Sequence, residues 1–200
     1  MTEERVKEIL AEASALMTSE PISTSRLLLR PFYESDFEDF CEYITQKELQ
    51  RLSGNPDIDT REEAREAFDR LMEQNGICVT RFAAELKETG KVVGNFCINV
   101  YPFVKEDESL ADKKGVSVSL VLNEKYQRRG LMTELLQRAI RYFLAEHDFD
   151  FVNSGYFDFN EGSRKIQERA GMRRYMDHVF EHNGQRILTH EMIIFRGDPI

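Results

Sequence analysis

Leu120-Val121-Leu122-Asn123-Glu124-Lys125-Tyr126-Gln127-Arg128-Arg129-Gly130-Leu131-Met132-Thr133-Glu134 is the stretch on which the reading of the fold turns. It ends an apolar run that starts at Gly115 (GVSVSLVL), passes through a short polar turn, and enters a basic loop containing a glycine. The run alternates Val with Ser and then becomes wholly apolar, as a strand does whose last part is buried on both faces. Behind the loop, Leu131, Leu135, Leu136, Ala139, Ile140, Phe143 and Leu144 recur with helical spacing, which predicts a helix from Gly130 to Glu146. A helix start leaves backbone N–H groups unpaired and carries a partial positive charge, so an anion such as a pyrophosphate can sit there. Gly130 removes a side chain where a phosphate must approach the backbone. Arg128 and Arg129 add charge. The spacing is neither G-x-x-x-x-G-K-S/T nor G-x-G-x-x-G. On these residues alone, a positively charged turn with a glycine for geometry is the plainer alternative.

Working outward, residues 4–17 place Val6, Ile9, Leu10, Ala13, Leu16 and Met17 on one helical face. They read as an N-terminal amphipathic extension over residues 1–20, packing on its own domain or on a partner subunit. A single domain over 21–198 follows. Its first strand is Arg26 to Arg30. Ser35 reads as the N-cap of a helix carrying Phe37, Phe40, Cys41 and Ile44, and Thr60 as the cap of a second, closed by Asn75-Gly76. Ser53-Gly54-Asn55-Pro56 reads as a loop. Ile77 to Leu86 and Lys91 to Val100 are strands joined at Glu88-Thr89-Gly90, and residues 102–114 are a polar loop. Past the long helix, Phe149 to Phe157 is a strand and Asn160 to Ala170 a helix closed by Gly171. Two last strands turn at Asn183-Gly184. The order describes a mixed α/β domain without internal repeats.

Composition narrows the function classes. The 200 residues are 41% hydrophobic and 32% charged, with 14 Phe and 7 Tyr to build one core. The net charge of −9 argues against nucleic acid as a partner, since phosphates must be met by Lys and Arg. It suits an amine substrate better, although surface acidity alone also accounts for it. Cys41, Cys78 and Cys97 are odd in number, far apart and without metal-ligand spacing, which reads as thiols in a reducing compartment. No apolar run is long enough to cross a membrane, and Met1 to Glu20 is too charged for a signal peptide. A cytoplasmic protein is expected, with neither membrane nor metal.

Gln127-x-x-Gly130-x-Met132 resembles the Q/R-x-x-G-x-G/A motif of the GCN5-related N-acetyltransferase (GNAT) superfamily. The surrounding Tyr126 to Glu134 is similar to the branch of ribosomal-protein N-terminal (alanine) acetyltransferases. Ser25-Arg26-Leu27-Leu28-Leu29-Arg30-Pro31-Phe32 resembles that branch's first strand. Asn160-Glu161-Gly162-Ser163 resembles its N-x-x-S segment, and Arg169-Ala170-Gly171-Met172 its K-x-G-F-like ending. The matches run in family order from residue 25 to 172. One departure stands out: Met132 occupies the place of a small residue, where a bulky side chain could narrow the loop.

The resemblance implies a splayed mixed sheet flanked by helices, and direct transfer of an acetyl group from acetyl-CoA to an amine. It implies that Leu120, Val121 and Leu122 pair with the pantetheine arm. The backbone N–H of Val121 or Leu122 would polarise the thioester carbonyl. Gln127, Arg128, Arg129, Gly130, Leu131, Met132 and Thr133 would hold the pyrophosphate. Asn160 would bind the pantetheine region, although a helix N-cap is its plain reading. Ser163 would protonate the leaving thiolate. Relatives often carry a base Glu on the central strand; Ser117 stands at that position and Ser119 at a following Gly, and a hydroxyl is no comparable base. Glu85, Asp158, Tyr156 and His178 are the remaining candidates, while His147, His182 and His190 read as solvated. Dimers are common in the branch. The competing class is a non-catalytic acyl-CoA-binding sensor, to which Met132 and the missing strand Glu lend weight.

Overall fold

The computed structural model describes residues 1–54, 57–74, 79–100, 107–182 and 184–199. Its helices are α1 (Glu3–Ser19), α2 (Phe37–Ile44), α3 (Lys47–Ser53), α4 (Arg61–Gln74), α5 (Leu131–Arg141) and α6 (Glu161–Arg169). Its strands are β1 (Leu27–Arg30), β2 (Thr80–Leu86), β3 (Lys91–Asn99), β4 (Gly115–Leu122), β5 (Phe151–Phe157), β6 (Arg173–His182) and β7 (Gln185–Phe195). They form one seven-stranded sheet in the order β1-β2-β3-β4-β5-β7-β6. The β4–β5 pair is parallel and its neighbours are antiparallel.

The sheet separates two apolar layers, and the period of two along β4 deals residues to each. Val116, Val118 and Leu122 join a cluster with Ile9, Leu10, Ala13 and Met17 of α1 and Leu131, Leu135, Leu136, Ala139 and Ile140 of α5. The N-terminal helix is therefore part of the main core. Val121 faces the opposite layer, where Phe32, Phe37, Phe40, Tyr43 and Phe68 cluster. Phe68 has no exposed surface and packs edge-on against Phe32 at 5.9 Å. Burying one such ring contributes roughly 1.5–3 kcal/mol.

Some expectations needed correcting. Ser35 is not a cap: it lies inside a 3₁₀ turn, Glu34–Asp36. Asp36 precedes α2 without a side-chain cap bond to it; its carboxylate turns back to accept the Tyr33 N–H at 2.8 Å and pairs with Arg30 at 2.7 and 2.9 Å. Helix α3 was not anticipated. Its seven residues bury only Leu49 and Gln50, too few to show a stripe, and Ser53 closes this helix where a loop was expected. Thr60 does cap α4, its hydroxyl accepting from Glu63 N while Glu63 accepts from Thr60 N. The long helix ends as an α-helix at Arg141 and finishes as a π-helical turn over Tyr142–Glu146. The expected stops at Asn55-Pro56 and Asn75-Gly76, the start of the second strand at Ile77, residues 102–106 of the 102–114 loop and Asn183 lie outside the described residues.

Candidate functional site

Strands β4 and β5 run together only briefly. Gly115, Val116 and Ser117 pair with Phe151, Val152 and Asn153. Beyond Ser117 the two strands part, while β4 stays paired to β3 as far as Leu122. The gap exposes one backbone edge of β4 to whatever enters it. Asn123 N–H donates to Val93 O on β3 at 2.8 Å, so by strand alternation Leu122 and Leu120 turn their polar groups towards the gap. The Leu122 carbonyl accepts from Gln127 Nε2 at 3.0 Å, in keeping with that alternation.

The basic loop leaves the end of β4 and leads into α5. Arg128 and Gly130 both take left-handed backbone conformations, at φ 61° and 75°. Consecutive amides bent in this way form an anion-binding concavity, and the unpaired first-turn N–H groups of α5 extend it. Met132 does not narrow the loop: it is 5% exposed and packs in the main core with α1 and α5. Glycine is unnecessary two residues past Gly130 here because that position points inward.

The expected first-strand motif turns out to brace this loop. Arg26 donates from Nη1 to Arg129 O at 2.8 Å and from Nε to Glu134 Oε2 at 2.7 Å, and Ser25 Oγ donates to Glu134 Oε1 at 2.9 Å. Burial pushes the Glu134 carboxyl up, but hydrogen bonds from Thr24, Arg26 and Ser25 outweigh it and hold the pKa at about 2. A carboxyl depressed on folding contributes stability above its ordinary 4.5 that is lost as pH falls towards about 2. Arg26→Ala is thus expected to lower stability by about 1 kcal/mol at pH 7, a small figure because solvent screens a half-exposed pair. The gap in Tm between mutant and parent should narrow from pH 5 to pH 3 in thermal melts.

A second brace comes from α2. Asn123 is fully buried; its Oδ1 accepts from Gln46 Nε2 and from Lys125 N, and its Nδ2 donates to Glu42 Oε1, all at 3.0 Å. Lys91, Asn123 and Lys125 hold the Glu42 carboxyl at about 2. Neither Asn123 nor Glu42 was singled out from sequence, since nothing in a lone Asn or Glu announces a partner far along the chain.

Asn160 and Ser163 come together at the start of α6. Asn160 Oδ1 accepts the Ser163 N–H at 3.0 Å, and its Nδ2 donates to Leu52 O at 2.9 Å. Ser163 Oγ accepts from Gln167 Nε2 at 2.9 Å. Gln167 is 1% exposed and also donates to Gly155 O at 3.2 Å, which ties α6 to β5 where the gap opens.

The base candidates fare differently. Glu85 accepts from Arg30 Nε at 2.6 Å and serves the Arg30–Asp36 cluster. Asp158 meets His190 Nε2 at 2.8 Å, and Asp177 meets Nδ1 at 2.9 Å. His190 is 5% exposed, not solvated; burial opposes its charge, but the two carboxylates outweigh burial and raise its pKa. Tyr156 packs its ring 5.0 Å from His190. Ser117 is buried and donates from Oγ to Asn153 Oδ1 at 2.6 Å. His178 lies 3.5 Å from Glu191, a residue that sequence reading passed over.

Glu191 sits on β7, 3% exposed, with its Oε2 accepting from Asn153 Nδ2 at 3.4 Å. Burial pushes its carboxyl up to about 7, against the pull of Asn153. A signal was available: Glu191 leads directly into an apolar strand end, Met192-Ile193-Ile194-Phe195, on the same parity as Ile193. Among the described residues, no group of three or more His, Cys, Asp or Glu side chains is arranged to hold a metal, and no helix is long and apolar enough to cross a membrane.

Comparison with known proteins agrees with this architecture. Among solved structures, an acetyltransferase (GNAT family) from Bacillus anthracis superposes with TM-score 0.73 at 21% identity, covering 88% of this chain and 98% of that one. A spermidine N-acetyltransferase from Vibrio cholerae, in complex with CoA and spermine, gives 0.67 at 15% identity, covering 87% and 98%. The ribosomal-protein-S5-alanine acetyltransferase from Vibrio fischeri gives 0.64 at 16%, covering 89% and 97%. None of the curated proteins matches the chain by sequence. The family described as acetyltransferase (GNAT) domain matches residues 26–173, most of the chain. The chain therefore belongs to the GNAT acetyltransferase family, whose members move an acetyl group to an amine.

Proposed function

We propose that the chain binds acetyl-CoA across the gap between β4 and β5 and transfers the acetyl group directly to a primary amine. The observation that carries this reading is the parting of the two strands beyond Ser117 and Asn153, with the left-handed loop Arg128–Gly130 placed after the end of β4. The pantetheine arm takes the open edge of Leu120 to Leu122, and the amides from Arg128 to Thr133 take the pyrophosphate. Of the two backbone donors expected at the thioester, alternation favours Leu122 over Val121. Asn160 holds the start of α6 in place, and it reaches pantetheine by giving up Leu52 O. The solved spermidine acetyltransferase with CoA and spermine supports a CoA donor and an amine acceptor in this fold. The reaction is placed in the cytoplasm, a reading that the free thiols of Cys41 and Cys97 support.

In this scheme Ser163 protonates the departing thiolate. Gln167 occupies a lone pair of its oxygen, which leaves the hydroxyl hydrogen available to donate. Ser163→Ala is expected to lower kcat by about 10²-fold, the scale of a lost general acid, while the thermal shift with acetyl-CoA persists. Coenzyme A release with a panel of amines (spermidine, peptides with N-terminal Ala or Ser, amino-acid amides) reads both. Acetyl-CoA at a hundred times its Kd should itself add about 2.7 kcal/mol of stability. Binding without turnover across the panel would favour the sensor, whose case is weaker now that Met132 lies in the core.

A further inference from the structure

On the face of the sheet turned towards α2 and α4, a polar row crosses five strands: Asn99 on β3, Ser117 on β4, Asn153 on β5, Glu191 on β7 and His178 on β6. It passes through the crotch of the β4–β5 gap, since Ser117 and Asn153 are the last paired residues there. Ser117 bonds Asn153, and Asn153 bonds Glu191. We propose that Glu191 is the base of the acetyl transfer, supplying from β7 the carboxylate that the central strand lacks at Ser117.

The geometry supports this in three ways. First, the carboxylate lies against Gly155, in the stretch of β5 where pairing with β4 has ended; an ideal Cβ there would stand 2.8 Å from Oε1. Second, α5 and α6 with the basic loop flank the other face, so the donor arrives from that side and an acceptor attacking the thioester comes from the side Glu191 faces. Third, among the described residues, buried polar atoms beside the carboxylate lack a hydrogen bond: Thr189 Oγ1, two residues along β7 and 6% exposed, and His178 Nδ1, which faces the carboxylate at 3.5 Å. Such atoms are costly unless a ligand or water meets them. His178 from β6 is the titratable group facing the carboxylate; β5 presents Asn153 and Gly155, which do not titrate, and β4 presents Ser117. A carboxyl whose pKa is pushed up to about 7 is matched to taking protons at neutral pH.

The proton count closes. The acceptor arrives as an ammonium and gives one proton to Glu191, directly or across one water. The neutral amine attacks the carbonyl, the C–N bond forms and the C–S bond breaks. Ser163 gives its hydroxyl proton to the thiolate and regains one from the second N–H, and Glu191 returns its own to solvent. Asn153 carries no proton; it is a positioning residue that orients the carboxylate.

The inference rests on the acetyltransferase reading, so its test must separate the two. Coenzyme A release is followed from pH 5.5 to 9 with the amine panel, for the parent, Glu191→Gln and Gly155→Ala, alongside thermal shifts with acetyl-CoA. Glu191→Gln is isosteric with the protonated acid. It is expected to keep the acetyl-CoA shift, lose about 10²-fold in kcat, and lose the acidic limb near pH 7 seen in the parent. Gly155→Ala pushes a flexible carboxylate rather than backbone and should lower kcat with the acetyl-CoA shift intact, which keeps the test alive if Glu191→Gln fails to fold. Parental kcat and pH profile in either folded variant would overturn the inference alone. A parent that binds acetyl-CoA yet turns over none of the amines would overturn the acetyltransferase reading and this inference together.

Discussion

Gly94→Ala is expected to cost about 3 kcal/mol of stability, upward of most single substitutions, because it drives a methyl into backbone. An ideal Cβ at Gly94 would stand 2.0 Å from Val121 O and 3.0 Å from Leu122 Cα. Neither atom is the end of a flexible side chain, so strands β3 and β4 must separate. The close approach belongs to an irregularity: the β2–β3 register shifts between Ala84 and Glu85, where Val93 is the extra residue, and Gly94 follows it. For a chain of this length, about 3 kcal/mol corresponds to a fall in Tm of roughly 6–12 °C. Val121 O and the Leu122 N–H proposed to meet the thioester belong to one peptide unit, so the acetyl-CoA shift should shrink as well. Differential scanning calorimetry with and without acetyl-CoA checks both.

Gly130→Val is expected to weaken acetyl-CoA binding by about 100-fold, for a different reason. Space is not limiting, since an added Cβ would meet only Arg26 Nη2 at 3.6 Å. The constraint is φ 75°, which costs an ordinary residue about 1–2 kcal/mol and a β-branched one more. The loop would relieve the strain by turning its amides away from the anion. At a ligand concentration giving about 2.7 kcal/mol of stabilisation in the parent, a 100-fold weaker Kd leaves about 0.4 kcal/mol. Gly130→Asn should retain most of the shift, because Asn tolerates left-handed backbone. Equal losses in Val and Asn variants would show that the glycine matters for contact and not for conformation.

What could be read in advance follows the range of the interactions concerned. The strand–loop–helix unit was legible because its signals are local: the apolar end of β4, the glycine, and a stripe whose seven members are all buried. Thr60 and Asn160 were legible as caps for the same reason, each bonding three residues ahead. Ser35 misled because the chain enters α2 through a 3₁₀ turn that takes Ser35 into it, held by Asp36 bonding back to Tyr33 N and to Arg30. The side chain of Met132 was ambiguous because a motif fixes spacing but not which way the position faces. The long-range partners could not be read. Arg26 reaching Arg129 and Glu134, Asn123 reaching Glu42, and Glu191 reaching Asn153 join residues far apart in sequence, and a single chain without its fold gives no reason to pair them.

The sheet order also bears on synthesis. β7 is made after β5 and β6, yet it lies between them, and among the described strands β6 neighbours only β7. While the chain emerges from the ribosome, β6 is present with nothing to pair with and β5 shows a bare edge, a state prone to wrong pairings. Residues 185–195 end that exposure on both sides in one step. Nascent chains halted before them would be the ones a chaperone has to guard.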